Sequence, residues 1–216
     1  ISDSLGNLLF YTDGFKVFDR NHQLMQNGKD IGLDSTCWGS STQSALIVKQ
    51  PLQDSIYYIF TTDCAENYLA NGFCFSIVNM KLNNGNGKVV LKKQKLLNKV
   101  CEKLAAVRQA NGSDVWILVH EWGNDKFYSY SLTSAGLIIT PIISITGRIQ
   151  LPTDTMHAES ASRGYMKFSP QGDKIVVLST SDTHPFVSYP EIFSFNNTTG
   201  TVLYLYKINT QDSTNY

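Results

Sequence analysis

Three apolar runs sit at one fixed spacing in this chain, and that spacing limits the fold more than any other feature. They occupy residues 56–60 (Ile, Tyr, Tyr, Ile, Phe), 115–119 (Val, Trp, Ile, Leu, Val) and 174–178 (Lys, Ile, Val, Val, Leu). Ile56 to Val115 is a step of 59 residues, and Val115 to Lys174 is 59 again. A turn-like cluster precedes each run: residues 53–55, 111–114 and 170–173. Self-similarity at such a period marks a repeat architecture. Repeats specify a scaffold and say little about a ligand.

Each run is followed by a second strand, at 73–78, 127–132 and 191–195, in which large apolar and small polar residues alternate. That alternation is the mark of a strand with one buried face. Turns rich in Asn and Gly follow at 83–87, 133–136 and 196–200, where these residues supply the positive φ of tight hairpins. A third strand comes next, at 88–91, 137–140 and 201–205, and a further strand precedes each central run, at 44–48, 103–107 and 165–168. The unit is therefore four antiparallel strands, ordered from inner to outer. Residues 91–104 have some helical spacing but are lysine-rich, and read as an outer strand and loop.

Four-stranded units in tandem, with no helical period between them, predict an all-β protein, a β-propeller fragment. The expected division is a partial blade over about 1–40 and complete blades over 41–98, 99–160 and 161–216. The N-terminal copy shows its central run at 8–12 and lacks an inner strand. The register implies an arc cut at both ends.

The chain has 216 residues, 42% hydrophobic and 17% charged, which suffices for a sizeable core. Eighteen basic and eighteen acidic residues leave no net charge and form no basic stripe, so nucleic acid is not an expected partner. No apolar run reaches the roughly 18 residues of a membrane span. The start, Ile1-Ser2-Asp3-Ser4, reads as a cut end. Cys37, Cys64, Cys74 and Cys101 lack the spacing of a zinc site. Cys64 and Cys74 flank the loop of a hairpin, where a disulfide is one expectation and buried free thiols the other.

Several phrases resemble a known group. They are residues 1–14, 41–48 and 57–63, His120-Glu121-Trp122-Gly123-Asn124 with Val119 before it, and residues 167–174 with their Ser-Pro-Gln-Gly-Asp turn. Together they look like the N-terminal propeller of large Bacteroidetes surface proteins. Those proteins often carry PKD-type domains and a gliding-motility-associated, type IX secretion sorting domain. The resemblance implies a secreted or cell-surface multidomain parent, whose remaining blades and domains would be partners of this segment. It implies no catalytic residues.

Candidate site residues are weighed against plainer roles. His120 and Glu121 end a central run at the end of the fold that presents loops. They do not form a metalloprotease motif, because H-E-x-x-H needs a second His where Asn124 stands. The plainer reading is a structural polar pair. His157 with Glu159, and His184, lie on loops, where isolated histidines are usually solvated. Glu102 and Lys103 open an inner strand near the presumed channel, as a channel-lining ion pair. The long loop at 27–43 carries Asp30, Asp34, Thr36, Cys37, Trp38 and Gln43. Loops of this length are often functional, and Trp38 would either stack on a ligand or plug a gap between blades.

No acid/base set, metal set or cofactor loop converges. The leading expectation is a non-catalytic interaction propeller with a protein or glycan ligand and no cofactor. A propeller hydrolase or lactonase with a channel-mouth acid/base or metal site, drawing on Glu102, His120, Glu121 and His157, is the alternative. A structural spacer is the third reading.

Overall fold

The computed structural model describes residues 1–37, 39–150, 161–180 and 188–208. Fifteen strands build the described fold. β1 (Phe10–Thr12), β2 (Lys16–Asp19) and β3 (Leu24–Lys29) form an N-terminal meander. The first four-stranded unit is β4 (Ala45–Lys49), β5 (Ile56–Thr62), β6 (Phe73–Asn79) and β7 (Lys88–Leu97). The second is β8 (Val100–Arg108), β9 (Val115–Glu121), β10 (Lys126–Thr133) and β11 (Gly136–Ile145). The third is β12 (Gly164–Phe168), β13 (Lys174–Thr180), β14 (Ser188–Asn196) and β15 (Thr201–Lys207). Within each unit neighbours in sequence pair antiparallel. A single parallel bridge, Gln26 to Lys88, joins the meander to the first unit as one seven-stranded sheet. The fold is all-β and propeller-like. No helix among the described residues is long and apolar enough to cross a membrane.

The hairpins correct the repeat spacing. Gln50 donates to the Ile56 carbonyl, Gln109 to that of Asp114 and Ser169 to that of Lys174. Ile56, Asp114 and Lys174 are thus equivalent, at steps of 58 and 60; the apparent step of 59 is their mean. The first hairpin is one residue longer than the other two. Since a one-residue slip moves every side chain to the opposite face, this decides the packing. Tyr58 and Phe60 meet Ile117 and Val119 across one seam. Trp116 and Leu118, on the other face of β9, meet Ile175 and Val177 across the next. Tyr57 and Ile59 meet Phe10, Val17 and Met25. Each sheet turns one face to its predecessor and the other to its successor, as stacked repeats require.

The seams are the core. In the first, Phe73 stacks on Phe60 (ring centroids 5.8 Å apart) and reaches Tyr130 of the second unit at 5.5 Å. Each such side chain contributes about 1.5–3 kcal/mol of burial. The outer edge of the second unit carries a residue expected of an unpaired strand, Pro141 on β11, while β7 is covered by β3, with Lys92 bonded to the Lys29 carbonyl and Lys93 paired to Asp30.

Two details differ from the sequence reading. The inner strand of the N-terminal copy is present in part, because Ser2 bridges Leu8 and Ile1 bonds with Leu9 and Phe10. The stretch 91–104 is strand at both ends, with β7 running to Leu97 and β8 starting at Val100.

Gly32 shows how tightly the loop before β4 is laid down. A Cβ there would run into the Thr61 side chain. Gly32→Ala is expected to lower the unfolding free energy by about 1–3 kcal/mol by overpacking, read as a shift in denaturant midpoint.

Candidate functional site

Inner strands begin, and central strands end, at one end of the molecule. Carboxylates recur there and fasten the connections that follow. Asp63 Oδ2 accepts from the Asn71 amide at 2.7 Å and from Asn67 Nδ2 at 2.8 Å. Glu121 Oε2 accepts from the Tyr128 hydroxyl at 2.9 Å and from Asn124 Nδ2 at 2.6 Å. Asp13 Oδ1 accepts from the Phe15 and Lys16 amides at 2.9 and 2.6 Å.

Glu102 and Lys103 are not the expected channel-lining ion pair. Adjacent residues of a strand point to opposite faces, so the two enter different seams. Glu102 turns to the first unit: Oε2 accepts from the Thr42 amide and hydroxyl, both at 2.7 Å, and Oε1 from the Ala65 amide at 2.8 Å. Lys103 turns to the third: Nζ donates to Ser179 Oγ at 2.8 Å and to Gln150 Oε1 at 3.5 Å. Both are fully buried. Burial lowers the Lys103 pKa, because desolvation disfavours the ammonium. Burial likewise raises that of Glu191, against the pull of Arg148 and Lys103.

His120 lies in the same seam, edge-on to Phe127 with centroids 4.5 Å apart. Its Nδ1 donates to the Glu121 carbonyl at 2.7 Å. Burial foremost, with Lys103 adding to it, holds its pKa down near 3. His120 is therefore a neutral packed side chain and presents nothing to a ligand. Gln43 reaches across to the third unit instead of lining an open loop. Its Oε1 accepts from the Met166 amide at 2.8 Å and its Nε2 donates to the Met166 carbonyl at 3.3 Å. Trp38, His157, Glu159 and His184 lie outside the described residues. Glu191 and Ser179 were missed in the sequence. The available signal was a charge sharing parity with Phe193 and Phe195, hence a carboxylate on a buried face.

The disulfide expectation is corrected. Cys37 bonds Cys64, 27 residues apart, while Cys74 and Cys101 are buried free thiols. Cys74 sits on β6 with its thiol directed to the Asn71 carbonyl, and the 27–43 loop brings Cys37 over Cys64. Burial pushes both free thiols up to about 11. Among the described residues, Cys37, Asp63 and Cys64 are the one grouping with metal-ligand spacing, and the disulfide consumes both sulfurs.

The same loop walls a cleft of about 620 Å³. Ile31 and Leu33 donate to the Phe15 and Gly14 carbonyls, which lays the loop along the β1–β2 hairpin. Phe15 and Leu33 supply apolar lining; Asp13, Asp34, Lys16 and Thr36 supply the polar lining. Asp34 Oδ1 accepts from the Thr36 amide and hydroxyl, each at 2.8 Å, which holds its pKa below the usual carboxylate value. In both aspartates one carboxylate oxygen makes these bonds, and Oδ2 has no hydrogen-bond partner among the described residues. Two carboxylates, a cation and an apolar floor in an open cleft can bind a small polar molecule and move protons on it.

No family model matches the chain, and no curated protein matches it. Three solved structures are similar. An α-L-arabinofuranosidase from Clostridium thermocellum is 14% identical, with TM-score 0.42, over 80% of this chain and 53% of its own. A candidate 6-phosphogluconolactonase from Bacteroides uniformis is 15% identical, with TM-score 0.48, over 93% and 56%. An exo-β-1,3-galactanase from Phanerochaete chrysosporium is 10% identical, with TM-score 0.42, over 96% and 52%. The chain spans about half the length of each. Likeness at this level transfers no residue role and no substrate. All three bear enzyme names, so the leading expectation of a non-catalytic interaction module gains no support from them and is not carried further.

Proposed function

We propose that the chain forms part of a propeller hydrolase whose reaction takes place in the Asp13–Asp34 cleft. The observation that carries this is the cleft itself, with two aspartates that each keep one uncommitted carboxylate oxygen. Hydrolysis of a glycosidic or lactone C–O bond needs one group to take a proton from water and another to give one to the leaving oxygen. Asp34, held ionised by Thr36, is assigned the base. Asp13 supplies the second carboxylate of the cleft and Lys16 its cation.

Turnover of a panel of aryl glycosides and sugar lactones tests the reading. Asp13→Asn and Asp34→Asn each keep an Oδ1 acceptor for the local turn. Each is expected to lower kcat about a hundredfold with an unchanged unfolding midpoint. Wild-type turnover in the double variant, or none by the wild type across the panel, refutes it.

The same proposal takes the three four-stranded units as complete blades and β1–β3 as part of a fourth. The regular alternation of faces across the seams supports that count. It also takes the chain as a segment of an exported protein of the Bacteroidetes surface group that the sequence resembles. The Cys37–Cys64 bond supports export, since stable disulfides belong to oxidising compartments. Thiol labelling of denatured, unreduced protein should mark two cysteines; four would refute it.

A further inference from the structure

The opposite end of the molecule, where inner strands finish, carries a second cavity of about 530 Å³. Lys49 ends β4 and Arg108 ends β8, and both line it. The two positions are equivalent, since Gln50 and Gln109 follow them and close the corresponding hairpins. Neither cation is ion-paired to a carboxylate among the described residues. The platform is fixed. Gln50 Nε2 donates to the Ser134 carbonyl at 2.8 Å, Gln109 Nε2 to Ser131 Oγ at 2.7 Å, and Asn111 Oδ1 accepts from the Ser113 and Asp114 amides.

The extra residue of the first hairpin matters here. Leu52, in that hairpin, has φ 56 and is 84% exposed at the cavity. A bulky apolar residue in the left-handed region is strained, and such strain clusters at ligand clamps. The longer turn holds an exposed apolar side chain on the wall of the cavity that Lys49 and Arg108 line.

The lining selects a ligand. The Arg108 guanidinium offers a fork that fits a carboxylate bidentately, with Lys49 as a second point of charge. Asp54 also lines the cavity; it repels a compact dianion and accepts hydrogen bonds from hydroxyl groups. Gln53 and Ser113 add neutral donors and acceptors, and Leu52 and Val115 offer a surface for C–H groups.

We propose that this cavity binds a hydroxylated monocarboxylate, a sugar acid of the aldonate or uronate class. Nothing in this assignment depends on the cleft at the other end.

Amide NMR titration of the chain with potassium gluconate and, separately, potassium glucuronate tests it. Glucose, potassium sulfate and potassium chloride at matched ionic strength serve as controls. Saturable shifts confined to residues 49–54 and 108–115, with Kd about 1 mM, are expected from at least one sugar acid. Gluconate alone identifies an open-chain acid as the ligand, and glucuronate alone a ring acid. Arg108→Gln should weaken binding about tenfold or more, and Leu52→Gly should weaken it less. Asp13→Asn with Asp34→Asn should leave it unchanged, so failure here and failure of the hydrolase reading are read separately. Equal shifts from glucose or sulfate, no saturable shift, or undiminished binding by the Lys49→Gln, Arg108→Gln double variant overturns the assignment.

Discussion

Glu102→Ala is expected to destabilise the protein by about 3–5 kcal/mol, the range for removing one partner from a buried charged network. The carboxylate is fully buried and joins two units at the point where β8 begins. Its loss orphans three donors: the Thr42 amide, the Thr42 hydroxyl and the Ala65 amide. A buried donor left unpaired, as the Ala65 amide would be, costs about 1–3 kcal/mol, and the part-buried Thr42 donors add to it. Glu102→Gln keeps the side chain's volume and one acceptor oxygen, and is expected to cost less, about 1–3 kcal/mol. Urea unfolding of both variants measures this. A fall in midpoint at constant m reports stability alone. A Glu102→Ala protein within about 1 kcal/mol of wild type would show that the carboxylate is ornamental to the seam.

The second large effect is acid lability from His120. Its folded pKa is about 3 against an ordinary 6.5, because burial excludes the imidazolium. Between those values the unfolded chain binds a proton that the folded chain does not, so stability rises with pH there. The contribution is complete above pH 6.5 and is lost as the pH falls, by about 1.4 kcal/mol per unit. That amounts to about 3 kcal/mol by pH 4. Lys103, whose pKa is also lowered, acts in the same sense at higher pH, below the ordinary ammonium value. Glu191, with its pKa raised, acts oppositely above the ordinary carboxylate value. His120→Phe removes only the histidine term, so the comparison isolates it. The variant loses the bond to the Glu121 carbonyl and should be less stable at pH 7, yet its stability should vary less between pH 6.5 and 4. Parallel pH profiles for the two proteins would refute the assignment.

Strand identity was legible because each strand carries its own signal. Alternation along 73–78 and 127–132, and the Asn- and Gly-rich turns after them, act within a few residues. The pairing of Cys37 with Cys64 was not legible, since it depends on where a loop crosses the fold. Proximity in sequence favoured Cys74, whose thiol the β6 strand directs to the Asn71 carbonyl instead. The cleft was legible only as a long loop containing Asp34. Asp13 drew no attention, because nothing local reveals that residues 31–33 pair with the backbone at 14–15.

His120 shows the opposite failure. A histidine beside a glutamate at a strand end suggests chemistry, and packing removes it by burying the ring against Phe127. Glu102 and Lys103 were expected to face one another and face opposite seams.

By itself the sequence determined the unit: four antiparallel strands, their order and their turns, repeated at about one spacing. These follow from backbone propensities and periodicity, which are local. Tertiary structure decided the register between units, the disulfide, the burial of the suspected site and the position of both cavities. A single extra residue in the first hairpin sets β5 and β9 one residue out of the step their inner strands keep, and so decides which apolar residues share a face. Its effect on packing exists only once two sheets meet, because a side chain's face has no meaning until something lies against it.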